Sequence, residues 1–140
     1  MNLGYKLKNR IEYKGHRYRL DLSFDNVLRV FDVQQEDVFA DGGWLPAAIE
    51  LLAGRRAARL PIPDQIKLWE KINAEYITPG PKPKKDEPRA MDYAQDAPLI
   101  YAAFRQTYGI DLDKERGRMD WRTFTALLQG LPGDTRFQEI

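Results

Sequence analysis

The sequence predicts a mainly α-helical domain of about five helices with a small N-terminal β-hairpin. Apolar residues recur at three-and-four spacing in several separate stretches, which is helical periodicity. Two-residue alternation is confined to the first 22 residues, around a Lys14-Gly15 turn. Capping residues and Gly/Pro stops bracket the periodic stretches, so the number of elements is legible as well as their type.

Met1–Arg10 is polar and basic and is expected to be a flexible N-terminus. Ile11–Tyr13 and Arg17–Leu22 alternate around Lys14-Gly15, and Gly15 allows the positive φ of a tight hairpin turn. Tyr18, Leu20 and Leu22 share one face, Arg17, Arg19 and Asp21 the other. A lone hairpin is marginal in water, so its apolar face is expected to lie on helices.

Ser23 caps a predicted helix carrying Phe24, Val27, Leu28 and Phe31, which ends near Gln34. An acidic loop over 35–43 follows, with Asp41-Gly42-Gly43 as its turn. Trp44–Ala53 reads as the next helix, with Leu45, Ala48, Leu51 and Leu52 as core candidates and Gly54 as its stop. Another is predicted from Asp64, with Ile66, Trp69, Ile72 and Tyr76 on one face and Thr78-Pro79-Gly80 ending it. Pro79–Ala90, PGPKPKKDEPRA, holds four prolines and no large apolar residue. It reads as a stiff, exposed linker between a hairpin-plus-helices lobe, 11–78, and a C-terminal unit, 91–140, that packs on the same core.

That C-terminal unit reads as an αα-hairpin. Asp96 is the expected cap of its first helix, with Pro98 in the first turn, where a missing N–H costs nothing. Ala97, Ile100, Tyr101, Phe104 and Tyr108 fall on one face, and Gly109 sits where a left-handed C-terminal residue is wanted, with Ile110 folding back. Asp120 caps the second helix, whose stripe is Trp121, Phe124, Leu127 and Leu128, and Gly130-Leu131-Pro132 ends it.

Composition excludes several function classes. With 43% hydrophobic and 31% charged residues the chain is a globular protein rather than a disordered one. A net charge of +1 lacks the cationic excess that phosphate neutralisation requires, so nucleic acid is not an expected partner. Zero cysteines exclude disulfides and thiolate chemistry. No apolar run approaches the ~20 residues that cross a bilayer, so no membrane partner is expected.

Catalytic and metal motifs are missing too. His16, the lone histidine, stands beside the hairpin turn with no nucleophile motif to serve. Asp111, Asp113 and Glu115 have the first spacings of a calcium loop, but Arg116 stands where that loop needs glycine and Arg122 where it needs glutamate. They read instead as loop solvation approaching the Asp120 cap. No catalytic residue, metal or cofactor is therefore expected. Arg55, Arg56 and Arg59 form a possible basic patch, and Lys82, Lys84 and Lys85 lie in the linker. The ordinary reading of the arginines is that cations answer a helix C-terminal dipole.

The run LIYAAFRQTYGIDLD, followed by WRTFTALLQGLPGDTRF, resembles the end of the gp-fifteen family of tailed bacteriophages of Gram-positive hosts. The resemblance is strongest over 92–137, about a third of the chain, and departs at Asp113–Arg118, which is basic and contains Gly117. It implies a tail assembly chaperone that coats the tape-measure protein, in the host cytoplasm and absent from the mature virion. Further implied partners are the tail-tube protein, an upstream tail chaperone and further copies of the chain on the tape measure. The resemblance also implies a C-terminus that runs on beyond Ile140. Such a function needs an apolar groove for an amphipathic helix, and Tyr101, Phe104, Trp121 and Phe124 are the expected partner-binding residues. A small nucleic-acid-binding regulator using Arg55, Arg56 and Arg59 together with the linker lysines is the alternative.

Overall fold

The computed structural model describes residues 3–36, 43–78 and 92–132. Arg10–Tyr13 (β1) and His16–Arg19 (β2) pair antiparallel, with Tyr13 opposite His16. Lys14 and Gly15 form the two-residue loop at φ +47° and +78°, the signs a type I′ turn requires. The ladder stops at Arg19, short of the expected Leu22, because the chain changes partners: Asp21 N–H donates to Leu52 O at 2.8 Å. The alternation persists regardless, with Tyr18, Leu20 and Leu22 buried and Arg17, Arg19 and Asp21 exposed. On the free edge of β1, Arg10 O and Glu12 O accept from Tyr76 Oη and Lys71 Nζ, each at 2.6 Å. That edge is thereby closed to a further strand.

Six α-helices follow among the described residues: α1 (Phe24–Gln35), α2 (Trp44–Ala53), α3 (Arg55–Ala58), α4 (Ile62–Ile72), α5 (Tyr93–Tyr108) and α6 (Trp121–Gln129). Asn73–Ile77 continues α4 as a π-helical turn. The extra helix is α3, one turn that opens directly after Gly54. Gly54 adopts φ +92°, ψ +175°, a backbone region that only glycine occupies without strain. The bend lets Ala57 reach full burial one turn past the end of α2.

Several predicted boundaries and stripes shift. Asp92, not Asp96, caps α5: its carboxylate accepts from Ala94 N and Gln95 N at 3.1 Å, while Asp96 accepts the Asp92 N–H. The helix therefore starts earlier and carries Pro98 inside it. Ala97, expected in the core, is exposed. Ser23 precedes α1 but does not cap it with its side chain; Oγ donates to Asp21 Oδ1 at 2.7 Å. Main chain takes over there. Phe24 N–H donates to Met119 O (2.8 Å) and Trp121 N–H to Leu22 O (2.7 Å), so a short antiparallel bridge joins the entrances of α1 and α6. On α4 the buried stripe is Gln65, Leu68 and Ile72, leaving Ile66 exposed and Trp69 half-buried. The Asp41-Gly42-Gly43 turn, the Pro79–Ala90 linker and Phe137 and Ile140 lie wholly or almost wholly outside the described residues.

One hydrophobic core serves all elements. Its centre is a stack in which Phe124 lies between Phe24 and Phe104, at centroid distances of 5.1 and 5.4 Å. Two buried amides fasten the periphery. Asn26 Nδ2 donates to Asp21 O (2.9 Å) and Leu51 O (2.8 Å), and Gln65 Nε2 to Ala58 O and Leu60 O. Gly109 ends α5 at φ +69°, and Ile110 N–H returns to Phe104 O, as the sequence predicts. The two C-terminal helices meet through Phe104–Phe124 and a bond from Tyr108 Oη to Leu127 O at 2.6 Å. Trp121 Nε1 also donates to Ile77 O at 3.0 Å, which fastens α6 to the π turn.

Candidate partner-binding groove

An open groove of about 620 Å³ runs between α1 and α5. The two walls are antiparallel. Near the start of α1, Asp25 accepts from Gly117 N–H (2.8 Å) in the loop that follows α5; near its end, Phe31 stacks on Tyr93, the first residue of α5, at 6.2 Å. Helical spacing sets what each wall presents. Asp25, Leu28, Arg29 and Asp32 come from one side of α1, and Tyr93, Ala97, Ile100 and Tyr101 from the facing side of α5. Phe24, Leu112 and Phe124 form the buried floor.

The groove's charges are largely committed to one another. Arg29 pairs with Asp25 at 3.9 Å, and Arg116 with Asp113. Tyr101 Oη donates to Asp111 Oδ1 at 3.0 Å, which holds that carboxyl below the usual range and raises the tyrosine. Asp111 Oδ1 also accepts from Asp113 N–H, so the would-be calcium loop spends its first carboxylate on local bonds. Among the described residues the lining holds no Ser, Cys, His or Lys; its titratable groups are Asp25, Asp32, Asp113, Tyr93, Tyr101 and two arginines. What the groove offers is apolar surface between two polar rims, which suits docking.

The four aromatics expected to bind a partner fall into two groups. Tyr101 is 40% exposed on the groove wall, whereas Phe104, Trp121 and Phe124 are 0, 4 and 2% exposed. Phe124 reaches the floor; Phe104 and Trp121 are behind it and do not line the groove. Sequence reasoning missed Tyr93, Leu112 and the whole α1 wall. Tyr93 lies upstream of the expected Asp96 cap, and the Tyr93–Ala97–Ile100 spacing is the helical signal that points to it.

Arg55, Arg56 and Arg59 are all exposed and lie away from the groove. Arg55 approaches Glu50 at 3.5 Å. Arg56 donates from Nη2 to His16 Nδ1 at 2.9 Å and stands 5.8 Å over the Tyr18 ring. Two of the three arginines are thus occupied within the molecule, and the lone histidine serves as a partner to one of them. No group of three or more His, Cys, Asp or Glu side chains suited to a metal occurs among the described residues. No helix among them is long and apolar enough to cross a membrane.

No curated protein and no solved structure gives a significant match to the chain. The family model described as Bacteriophage Gp15 protein matches residues 5–140, a span that includes the hairpin, both groove walls and the C-terminal signature. The chain belongs to the Bacteriophage Gp15 protein family.

Proposed function

We propose that this phage protein is a non-enzymatic tail assembly chaperone, which holds the tape-measure protein during tail assembly in the host cytoplasm and is absent from the finished virion. The observation that carries the reading is the α1–α5 groove, with its apolar floor between polar rims. A long helical rod with exposed apolar stripes aggregates unless the stripe is covered, and a helix lying in a groove covers it. Modest affinity per copy with many copies along the rod gives avidity while leaving each copy displaceable by tail-tube protein. An upstream chaperone is a second candidate partner on the same rod.

The regulator reading finds less support. A net charge of +1 and an arginine patch already engaged with Glu50 and His16 leave little for a phosphate backbone. Co-expression with fragments of the tape-measure protein from the same genome tests the proposal. Fragments insoluble alone should stay in solution and co-purify at high salt, since apolar burial is barely screened. Duplex DNA binding that survives physiological salt and is lost in Arg55→Ala/Arg56→Ala would favour the regulator instead.

A further inference from the structure

The two ends of the groove differ. At the end near the start of α1, the charged side chains answer each other: Asp25 with Arg29 and Gly117 N–H, Asp113 with Arg116. At the other end, the last turn of α1 carries no basic residue, and Asp32 stands in it, exposed and with no ion-pair partner among the described residues. A carboxylate there is electrostatically misplaced. The terminal carbonyls of a helix already carry about half a negative charge, and an acid beside them adds to it. Asp32 O accepts the Glu36 N–H that closes the helix, so the side chain belongs to that terminal turn.

Tyr93 stands at the same end. Its ring is packed against Phe31, Trp121 and Phe124 at 6.2, 5.7 and 6.3 Å, which fixes its position. Its hydroxyl has no hydrogen-bond partner among the described residues, and burial of the ring raises its pKa. A half-buried phenol normally finds a partner. Tyr93 and Asp32 both line the groove, at the end where α1 closes.

We infer that the groove takes a cationic amphipathic helix in one orientation. Apolar side chains of that helix lie over Leu28, Ile100 and Phe124, and a Lys or Arg at one end meets Asp32 and the α1 terminus while a polar group bonds Tyr93 Oη. The inference rests on the chaperone reading for the source of the helix, but the recognition chemistry is set by the groove. A neutral helix would leave Asp32 as it is in the free protein and an acidic one would be repelled by it; a cation answers both Asp32 and the helix end.

Tiled 20-residue peptides covering the tape-measure protein, titrated against the full chain by fluorescence anisotropy, test this. Binders should carry Lys or Arg at one end of an apolar stripe. Replacing that cation by Glu should weaken binding about tenfold at low salt and much less at high salt. Asp32→Lys should weaken the parent peptide and restore the Glu-substituted one. Tyr93→Phe keeps the ring packing and should weaken binding severalfold with no change in salt dependence. Both variants are checked for cooperative thermal unfolding, Asp32→Lys being expected at or slightly above the wild-type midpoint because it answers the helix end. Peptides that bind with equal affinity to wild type, Asp32→Lys and Tyr93→Phe would overturn the orientation while leaving the chaperone intact. If no peptide binds and no tape-measure fragment co-purifies, both fall together.

Discussion

Truncating Phe104 and truncating Tyr101 should have very unequal consequences, although the two are three residues apart on one helix. Phe104 is fully buried, stacked on Phe124 at 5.4 Å and edge-on to Tyr108 at 5.6 Å. Removing a buried phenyl ring costs about 3–5 kcal/mol, the lost transfer energy plus the cavity left behind. Phe104 supports the ring that forms the groove floor, so the collapse that would shrink the cavity is opposed by Phe124 and the Phe24 behind it. The upper half of the range is therefore expected. Against a total stability of about 5–15 kcal/mol, Phe104→Ala leaves a marginal domain. Tyr101 is 40% exposed, and its one hydrogen bond is to an exposed-side loop carboxylate, so Tyr101→Ala should cost only a small fraction of the Phe104→Ala loss. Urea denaturation followed by tryptophan fluorescence measures both. With a slope of about 2 kcal/mol/M, Phe104→Ala should lower the midpoint by about 2 M, and Tyr101→Ala by a small fraction of that. Equal losses in the two variants would show that the α5 wall is packed core and that the groove is not a surface.

Asn26→Ala removes both side-chain bonds to Asp21 O and Leu51 O and leaves those carbonyls beside an apolar gap, so it should cost about 2–3 kcal/mol in the same assay; a loss below 1 kcal/mol would mean water replaces the amide. The Lys14–Asp64–Tyr13 cluster, at 2.8 and 2.6 Å, should make stability pH-dependent at both ends. Bonding to Lys14 and Tyr13 holds the Asp64 carboxyl below its ordinary range, so its contribution is present above about pH 4 and is lost as pH falls through the folded-state value. Bonding to Asp64 raises Lys14, so that contribution is present at neutral pH and is lost only as pH climbs through the raised value above about 10.5. Asp64→Asn should therefore be less stable than wild type at pH 7, with the gap narrowing as pH falls below about 4; a gap that does not shrink in acid would refute the assignment.

The fold was legible where local signals agree. The hairpin alternation, the Trp44–Ala53 helix with its Gly54 stop, the Asp120 cap and the Gly109 terminus all rest on neighbours in sequence, and all appear in the structure. What stayed hidden depends on distant partners. Asn26 and Gln65 belong to no predicted apolar stripe; they are buried because the carbonyls of Asp21 and Leu51 take the Asn26 N–H groups and those of Ala58 and Leu60 take the Gln65 N–H groups. Ser23 is a good capping residue by type, but Met119 O meets the Phe24 N–H and its hydroxyl turns elsewhere. Asp92 and Asp96 are both competent caps. Their reciprocal arrangement lets the helix begin at the earlier one despite Pro98, which loses one exposed-side hydrogen bond.

The groove was harder to read than the fold. Its aromatic content was visible, but aromatic spacing cannot say which side of a helix meets the core and which meets an open wall. The α1 wall became visible only once Gly117 and Phe31 fixed the antiparallel placement of α1 and α5.

The most direct measurement is co-expression of the full chain with tape-measure fragments, followed by affinity capture at 50 mM and 1 M salt. The account predicts that a helical fragment insoluble alone stays soluble and is retained at both salts, and that Leu28→Glu, which puts a charge on the groove wall, releases it while the chain remains folded. Failure of every fragment to be solubilised or captured at either salt would contradict the account, as would capture undiminished by Leu28→Glu.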